Sequence, residues 1–350
     1  MNLPCGTRNF TYAEDMAILR TKTHWVMFVI LLILLFTLPL YLSNYWLSVA
    51  NLIGITLIAA IGLNILVGYC GQLSIGHAGF IAVGAYTTAI LTGRFELPFL
   101  VGLICAGVVA GTVGLIFGIP SVRVKGFYLA ITTIAAQFII IWIINHWEIT
   151  GGFIGIEVPY ASIAGFEFRS EASQFFLIMV IAVICIFLTK NLTRTKVGRA
   201  FIAVRDNDLA AEVMGVNVLY YKLLAFFIGC FLAGIAGALL AHWIGFMNTE
   251  QFSLTESILY IGMIIIGGLG TSLGPILGVI FIRILQQLLT AQLVPYLEST
   301  FNMMPAGFAT GVTPMLFGLV IVLFLVLEPR GLAHRWALIK SAYRLWPFSY

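Results

Sequence analysis

The sequence predicts an all-α fold: a polytopic bundle of about ten membrane-spanning helices, with glycine-broken helices in both halves. Three observations lead there. Only 9% of the 350 residues are charged and 61% are hydrophobic, whereas a soluble domain carries about a quarter charged residues. The charges are also segregated: none falls between Thr23 and Gly93, and further uncharged runs occupy 97–122, 126–147, 172–189, 223–249, 257–282, 284–297 and 299–327. Crossing a hydrocarbon core takes about 20 apolar residues per helix, a length most of these runs reach. Lastly, the strongly basic loops all fall on one side for a single choice of helix number.

The first apolar run, Trp25 to Leu42, is too long for a signal-peptide core and follows 24 mixed, largely polar residues, so it reads as a retained helix. The other spans fall near 46–68, 76–93, 98–119, 127–145, 173–189, 220–243, 254–269, 272–291 and 312–328. Cytoplasmic loops carry an excess of Lys and Arg. Arg8, Arg20 and Lys22 therefore make residues 1–24 a cytoplasmic tail. Four crossings later come Arg123 and Lys125, and after six come Lys190, Arg194, Lys196, Arg199 and Arg205, in a loop over 190–219. After ten crossings Arg330, Arg335, Lys340 and Arg344 close the membrane domain (25–330) with a cytoplasmic tail, 331–350. The 146–172 connection, with Glu148, Glu157, Glu167 and Glu171 against Arg169, falls outside.

Two spans are interrupted, by "GYCGQLSIGHAGFIAVGAY" (68–86) and "GGLGTSLGPILG" (267–278). Two readings fit. Glycine permits close helix packing, and Gly-interrupted segments in the two halves of a transporter also point to its pathway. Asn64, Gln72, Ser74 and His77 are the candidate pathway side chains, because irregular backbone at membrane depth must be buried in protein or wetted. For His77 a local partner is the competing reading. No repeat is visible in the letters themselves. Acidic residues stay at or near span ends and only Arg283 sits well inside a span, which disfavours a proton- or sodium-coupled carrier.

The long polar stretch "GRAFIAVRDNDLAAEVMG" (198–215) holds a second signal. Asn207 can cap a short helix from Asp208 to Met214, with Asp208 in its first turn and Gly215 as its left-handed stop. Leu209, Ala210, Val213 and Met214 form an apolar stripe, while Asp208, Ala211 and Glu212 face elsewhere. Two turns do not stand alone in water. The helix either docks on a cytoplasmic protein or lies on lipid headgroups, and the acidic lead of Asp206 and Asp208 favours docking.

At these residues a resemblance enters. "GYCGQLSIGHAGFIAVGAYTTAIL" (68–91), "VKGFYLAITTIA" (124–135), the segment 198–241, "IGGLGTSLGPILG" (266–278) and "LFLVLEPRGLA" (323–333) resemble the LivM-type permease subunits of branched-chain amino-acid ABC importers. The resemblance implies that 198–215 engages an ATP-binding subunit, through Arg199, Arg205, Asp206, Asp208, Leu209, Glu212, Val213, Met214 and Gly215. Ala210, Ala211 and Gly215 match the importer loop pattern, whereas Asp208 stands where a glutamate is common. It further implies a second permease of similar fold, two ATP-binding subunits that use ATP and Mg, and an extracytoplasmic substrate-binding protein. No P-loop motif occurs, so this chain is expected to be no enzyme and to bind no cofactor itself.

The expected setting is the cytoplasmic membrane of a bacterium or archaeon, with both termini inside and lipid all round. The net charge of +4 sits in short loops and tails, which gives no reason to expect nucleic acid. Cys5, Cys70, Cys105, Cys185 and Cys230 stand singly and read as small buried hydrophobes. Transport of branched-chain or related amino acids leads. The alternatives are urea, short amides or sugars in the same superfamily, and an ion-coupled carrier.

Overall fold

The computed structural model describes residues 22–122, 126–163, 165–293, 308–328 and 330–345. Cys5, Arg8, Arg20, Arg123 and Lys125, with most of the expected N-terminal tail, lie outside the described residues. The described chain is all-α apart from two-residue strands, and each predicted apolar span contains a helix. These are α1 (Lys22–Tyr41), α2 (Asn44–Leu63, continued by a π-turn over Asn64–Tyr69), α3 (His77–Gly93), α4 (Phe99–Val122) and α5 (Phe127–His146). After a loop with β1 (Ile156–Glu157), β2 (Ser162–Ile163) and β3 (Phe166–Glu167) come α6 (Glu171–Arg194), α7 (Lys196–Asp206) and α8 (Asp208–Val213). The second half holds α9 (Val218–Ile244), β4 (Phe246–Met247), α10 (Leu254–Gly267), α11 (Gly274–Leu288), α12 (Phe308–Leu327) and α13 (Leu332–Leu345).

Among the described residues six helices are long and apolar enough to cross a membrane, in α2, α4, α5, α6, α9 and α11. Shorter apolar helices occur over Trp25–Tyr41, Leu254–Gly267 and Gly318–Leu327. The 17 residues of α3 and 14 of α10 reach only about 25 and 21 Å at 1.5 Å per residue, short of a core about 30 Å thick. Both short helices follow an irregular segment that has already re-entered the bundle.

The core forms around α9, which packs against α2, α3 and α4. Its sequence supplies Gly229, Ala233, Gly234, Ala236, Gly237 and Ala241, all buried. Small residues let backbones approach in a medium where apolar area alone does not hold helices together. Here the approach is tight: a methyl at Gly84 of α3 would run into the Gly234 backbone, and one at Gly62 of α2 into the Gly229 carbonyl. β1 pairs antiparallel with β4, Ile156 opposite Met247 and Glu157 opposite Phe246, tying together the loops at one end of the bundle. We call this the acidic end, after Glu148, Glu157 and Glu167. The opposite, basic end carries Arg205 and Lys222.

Although no repeat is legible in the letters, the structure has one in its backbone. In each half a long helix (α2, α9) is followed by an irregular return segment and then a short helix (α3, α10). The two units run in opposite directions. The end of α2 reaches Arg205 at the basic end, whereas α9 starts beside Asp208 there and ends at β4.

Candidate functional site

Gly68, near the end of α2, and Gly270, in the break before α11, touch each other at the basic end. Asn64 joins them. Its side-chain amide donates from Nδ2 to the Thr271 carbonyl (3.0 Å) and accepts at Oδ1 from the Gly270 backbone N–H (3.0 Å). The backbone here cannot supply those partners, because Gly268 (φ 114°) and Gly270 (φ 68°) take conformations that side chains with a β-carbon avoid. The C-terminal segment closes the junction, since Gly331 packs on Gly268. The residue after the break, Gly274, opens α11 with Pro275 in its first turn, a favoured place for proline.

Arg205, the penultimate residue of α7, enters the same junction. Its Nη1 donates to the Gly68 carbonyl (2.9 Å) and its Nη2 pairs with Asp206 Oδ1 (2.9 Å). Just beyond, Asn207 Oδ1 accepts from the Ala210 N–H (3.1 Å) and caps α8. Gly215 lies in the left-handed region (φ 83°) and stops the helix, with its N–H on the Glu212 carbonyl at 2.9 Å. The helix ends at Val213, one residue short of the Met214 that the sequence suggests. Its inward contact is Ala211, only 4% exposed, and Asp208 Oδ2 lies 3.5 Å from the buried Lys222 Nζ of α9. Leu209, Val213 and Met214 point away, 66, 87 and 83% exposed. Glu212 and Arg199 are exposed as well, and Arg199 donates to the Arg194 carbonyl at 3.4 Å.

The loop and the first break thus line one cavity of about 320 Å3, whose walls include Gln72, Arg205, Asp206, Asp208 and Lys222. Gln72 is buried, with its N–H on the Leu66 carbonyl at 2.9 Å. Ser74 and His77 lie deeper and fully buried. His77 Nε2 is 3.0 Å from the Ala59 carbonyl. Ala59 precedes Gly68 by nine residues, so the chain after Tyr69 returns roughly 13 Å into the bundle before α3 begins.

At that depth the two short helices start side by side. The Ala78 N–H donates to Ser257 Oγ (3.0 Å), Ser257 donates to Gln137 Oε1 (2.7 Å), and Gln137 Nε2 donates to the Phe252 carbonyl (3.0 Å). One turn earlier on α5, Thr133 Oγ1 accepts from the Ile75 N–H (3.0 Å). Thr133 and Gln137 therefore satisfy backbone in the two return segments, ahead of α3 and of α10, as non-helical chain at membrane depth requires. Sequence reading missed Thr133, Gln137 and Ser257. For the first two the signal was polar residues four apart in the mostly apolar middle of α5, and for Ser257 a polar residue at the start of the apolar α10. Among the described residues no group of three or more His, Cys, Asp or Glu converges as a metal site.

With this geometry in place, the chain can be set beside known proteins. Residues 45–327 match the family model described as "Branched-chain amino acid transport system / permease component". The high-affinity branched-chain amino acid transport system permease protein LivM of Escherichia coli (strain K12) is 33% identical over 286 residues, covering 75% of this chain and 67% of the relative. The probable LivM of Methanocaldococcus jannaschii is 25% identical over 319 residues, covering 80% of this chain and 90% of the relative. The autoinducer 2 import system permease protein LsrC of Klebsiella pneumoniae is 28% identical over 253 residues, 70% of this chain and 63% of the relative. No solved structure matches the chain. A multi-pass bundle with two glycine breaks, matched over most of its length, is a non-enzymatic transport component: the chain belongs to the branched-chain amino acid transport system permease family.

Proposed function

We propose that this chain is one of two similar permease subunits of an ATP-driven importer for branched-chain or related amino acids. In this reading all ten apolar helices lie in the membrane, the basic end and both termini face the cytoplasm, and the acidic end faces the extracytoplasmic binding protein. Two ATP-binding subunits use ATP and Mg below the basic end, and this chain binds neither. The loop 190–219 is their dock: Leu209, Val213 and Met214 form the knob, Asp208, Glu212, Arg199 and Asp206 its polar surround, and Gly215 its stop. Covering each large apolar side chain contributes about 1.5–3 kcal/mol. Gln72, on the wall of the basic-end cavity, borders the pathway beside the second permease, with Ser74 and His77 buried behind it, and Asn64 holds the junction next to it.

One observation carries the reading. The short helix α8 shows its apolar face to the outside and roots its other face on Lys222, while Arg205, at the end of α7 just before it, bonds the broken end of α2. A movement imposed on α8 therefore reaches both glycine breaks in one contact.

The test is co-purification of the assembled subunits followed by uptake of labelled leucine, urea and ribose into proteoliposomes containing the binding protein and internal ATP. Leucine uptake with two co-purified ATP-binding subunits is expected. Uptake of urea or ribose in its place would reassign the substrate, and uptake driven by a proton or sodium gradient without ATP would overturn the reading.

A further inference from the structure

Midway along α11, a cavity of about 270 Å3 opens between α2, α3, α9, α10 and α11. Ile55, Ile81 and Phe252 give it apolar walls, and Gln251, Glu256 and Arg283 bring polar groups into it. Arg283 sits ten residues into α11 with its side chain 7% exposed. It donates from Nε to Thr56 Oγ1 (3.1 Å) and from Nη1 to Gln286 Oε1 (2.8 Å). A guanidinium inside an apolar bundle is costly and marks substrate and ion routes.

The pairing with Glu256 is not that of a closed structural bridge. Charge-assisted N–H···O bonds settle at about 2.7–2.9 Å, usually in a two-pronged fork for arginine and carboxylate. Here one contact is made, Nη2 to Oε2 at 3.4 Å, and the Glu256 side chain stays 29% exposed. Gln251 Oε1, on the same cavity, is a buried acceptor without a hydrogen-bond partner among the described residues. The first turns of α3 and α10 also border the space, through Ala78 and Glu256, and helix N-termini favour negative charge.

We infer that this cavity is an intramembrane subsite for a zwitterionic amino acid with a small aliphatic side chain. The α-carboxylate takes the second protons of Arg283 Nη1 and Nη2, the α-ammonium sits between Glu256 and Gln251 Oε1, and the side chain rests on Ile55, Ile81 and Phe252. A ligand supplying only one charge leaves the opposite protein charge poorly paired, which is expensive within an apolar bundle. A sugar or urea supplies neither. This inference rests on the proposed function, and it adds that this chain itself, and not only a binding protein, recognises both charged ends of the substrate.

The test uses the full complex of permeases and ATP-binding subunits in lipid nanodiscs without binding protein, titrated with tritiated leucine. Leucinamide, which lacks the carboxylate, and 4-methylpentanoate, which lacks the ammonium group, serve as competitors. Wild type is expected to bind leucine and to admit each analogue at least about tenfold more weakly, a difference of about 1.4 kcal/mol. Arg283→Gln should lose the discrimination against leucinamide, Glu256→Gln that against 4-methylpentanoate, and Gln251→Leu should weaken leucine itself. Should Arg283→Gln fail to assemble, the other two variants still decide. Wild-type affinity and selectivity in both of them overturns the subsite, as does a wild-type complex that transports leucine without binding it in the nanodisc. A wild-type complex that transports no leucine, isoleucine or valine overturns the proposed function and this inference together.

Discussion

Asn64 does with one amide what a continuous helix does with its own backbone. The break before α11 leaves the Gly270 N–H and Thr271 carbonyl without helical partners, and Asn64 supplies an acceptor to one and a donor to the other. Gly68 is small for the same reason, since a methyl there would run into Asn64 Oδ1 and the Gly270 nitrogen. Asn64→Leu should cost about 1 kcal/mol, the low end for an unpaired polar group because the site is only part-buried. Gly68→Val should cost more, as backbone would have to move. Scanning fluorimetry of the solubilised complex should show both as lowered midpoints, larger for Gly68→Val; unchanged midpoints would mean that this contact does not hold the junction. Asn64 and its partner residues were visible in the sequence as a polar residue and a glycine cluster. Their contact was not, because it joins positions 207 residues apart.

Of the elements, α8 was the most legible. Its cap at Asn207 and its stop at Gly215 are local matters of side-chain reach and φ, and both lie where the letters place them. The stripe was legible as well, with Ala211 turned inward and Leu209, Val213 and Met214 outward. The helix stops one residue before Met214, since helix ends fray and Met214 makes only a closing bond to the Ala210 carbonyl. The breaks after α2 and before α11 were legible as glycine clusters, whereas the inverted repeat of α2–α3 and α9–α10 was not: it lives in chain direction, which residue identity does not encode. If α8 docks an ATP-binding subunit, Leu209→Asp should leave the permease in the membrane but reduce co-purified ATP-binding subunit several-fold. Gly215→Val should act alike, while Gly215→Asn, which tolerates a left-handed φ, should be near wild type. Wild-type stoichiometry with both damaging variants would place α8 on lipid instead.

At the scale of the whole molecule, the helices follow from uncharged runs, and their assembly follows from small residues along α9 that admit α2, α3 and α4. Single cysteines at Glu157 and at Lys196, in a background without reactive native thiols, test which end faces out. An impermeant maleimide on intact cells should label the first and spare the second; the reverse would invert the bundle. A movement of α8 reaches both glycine breaks through Arg205, which bonds Gly68 beside Gly270. Arg205→Gln tests it most directly, because the side chain that links the junction lies off the exposed face of α8. In proteoliposomes with binding protein and ATP, one measures leucine taken up per ATP hydrolysed. ATP-binding subunits should stay attached at wild-type stoichiometry, with leucine uptake per ATP lowered at least about tenfold as hydrolysis runs uncoupled from the permease. An unchanged ratio in the attached complex would contradict it.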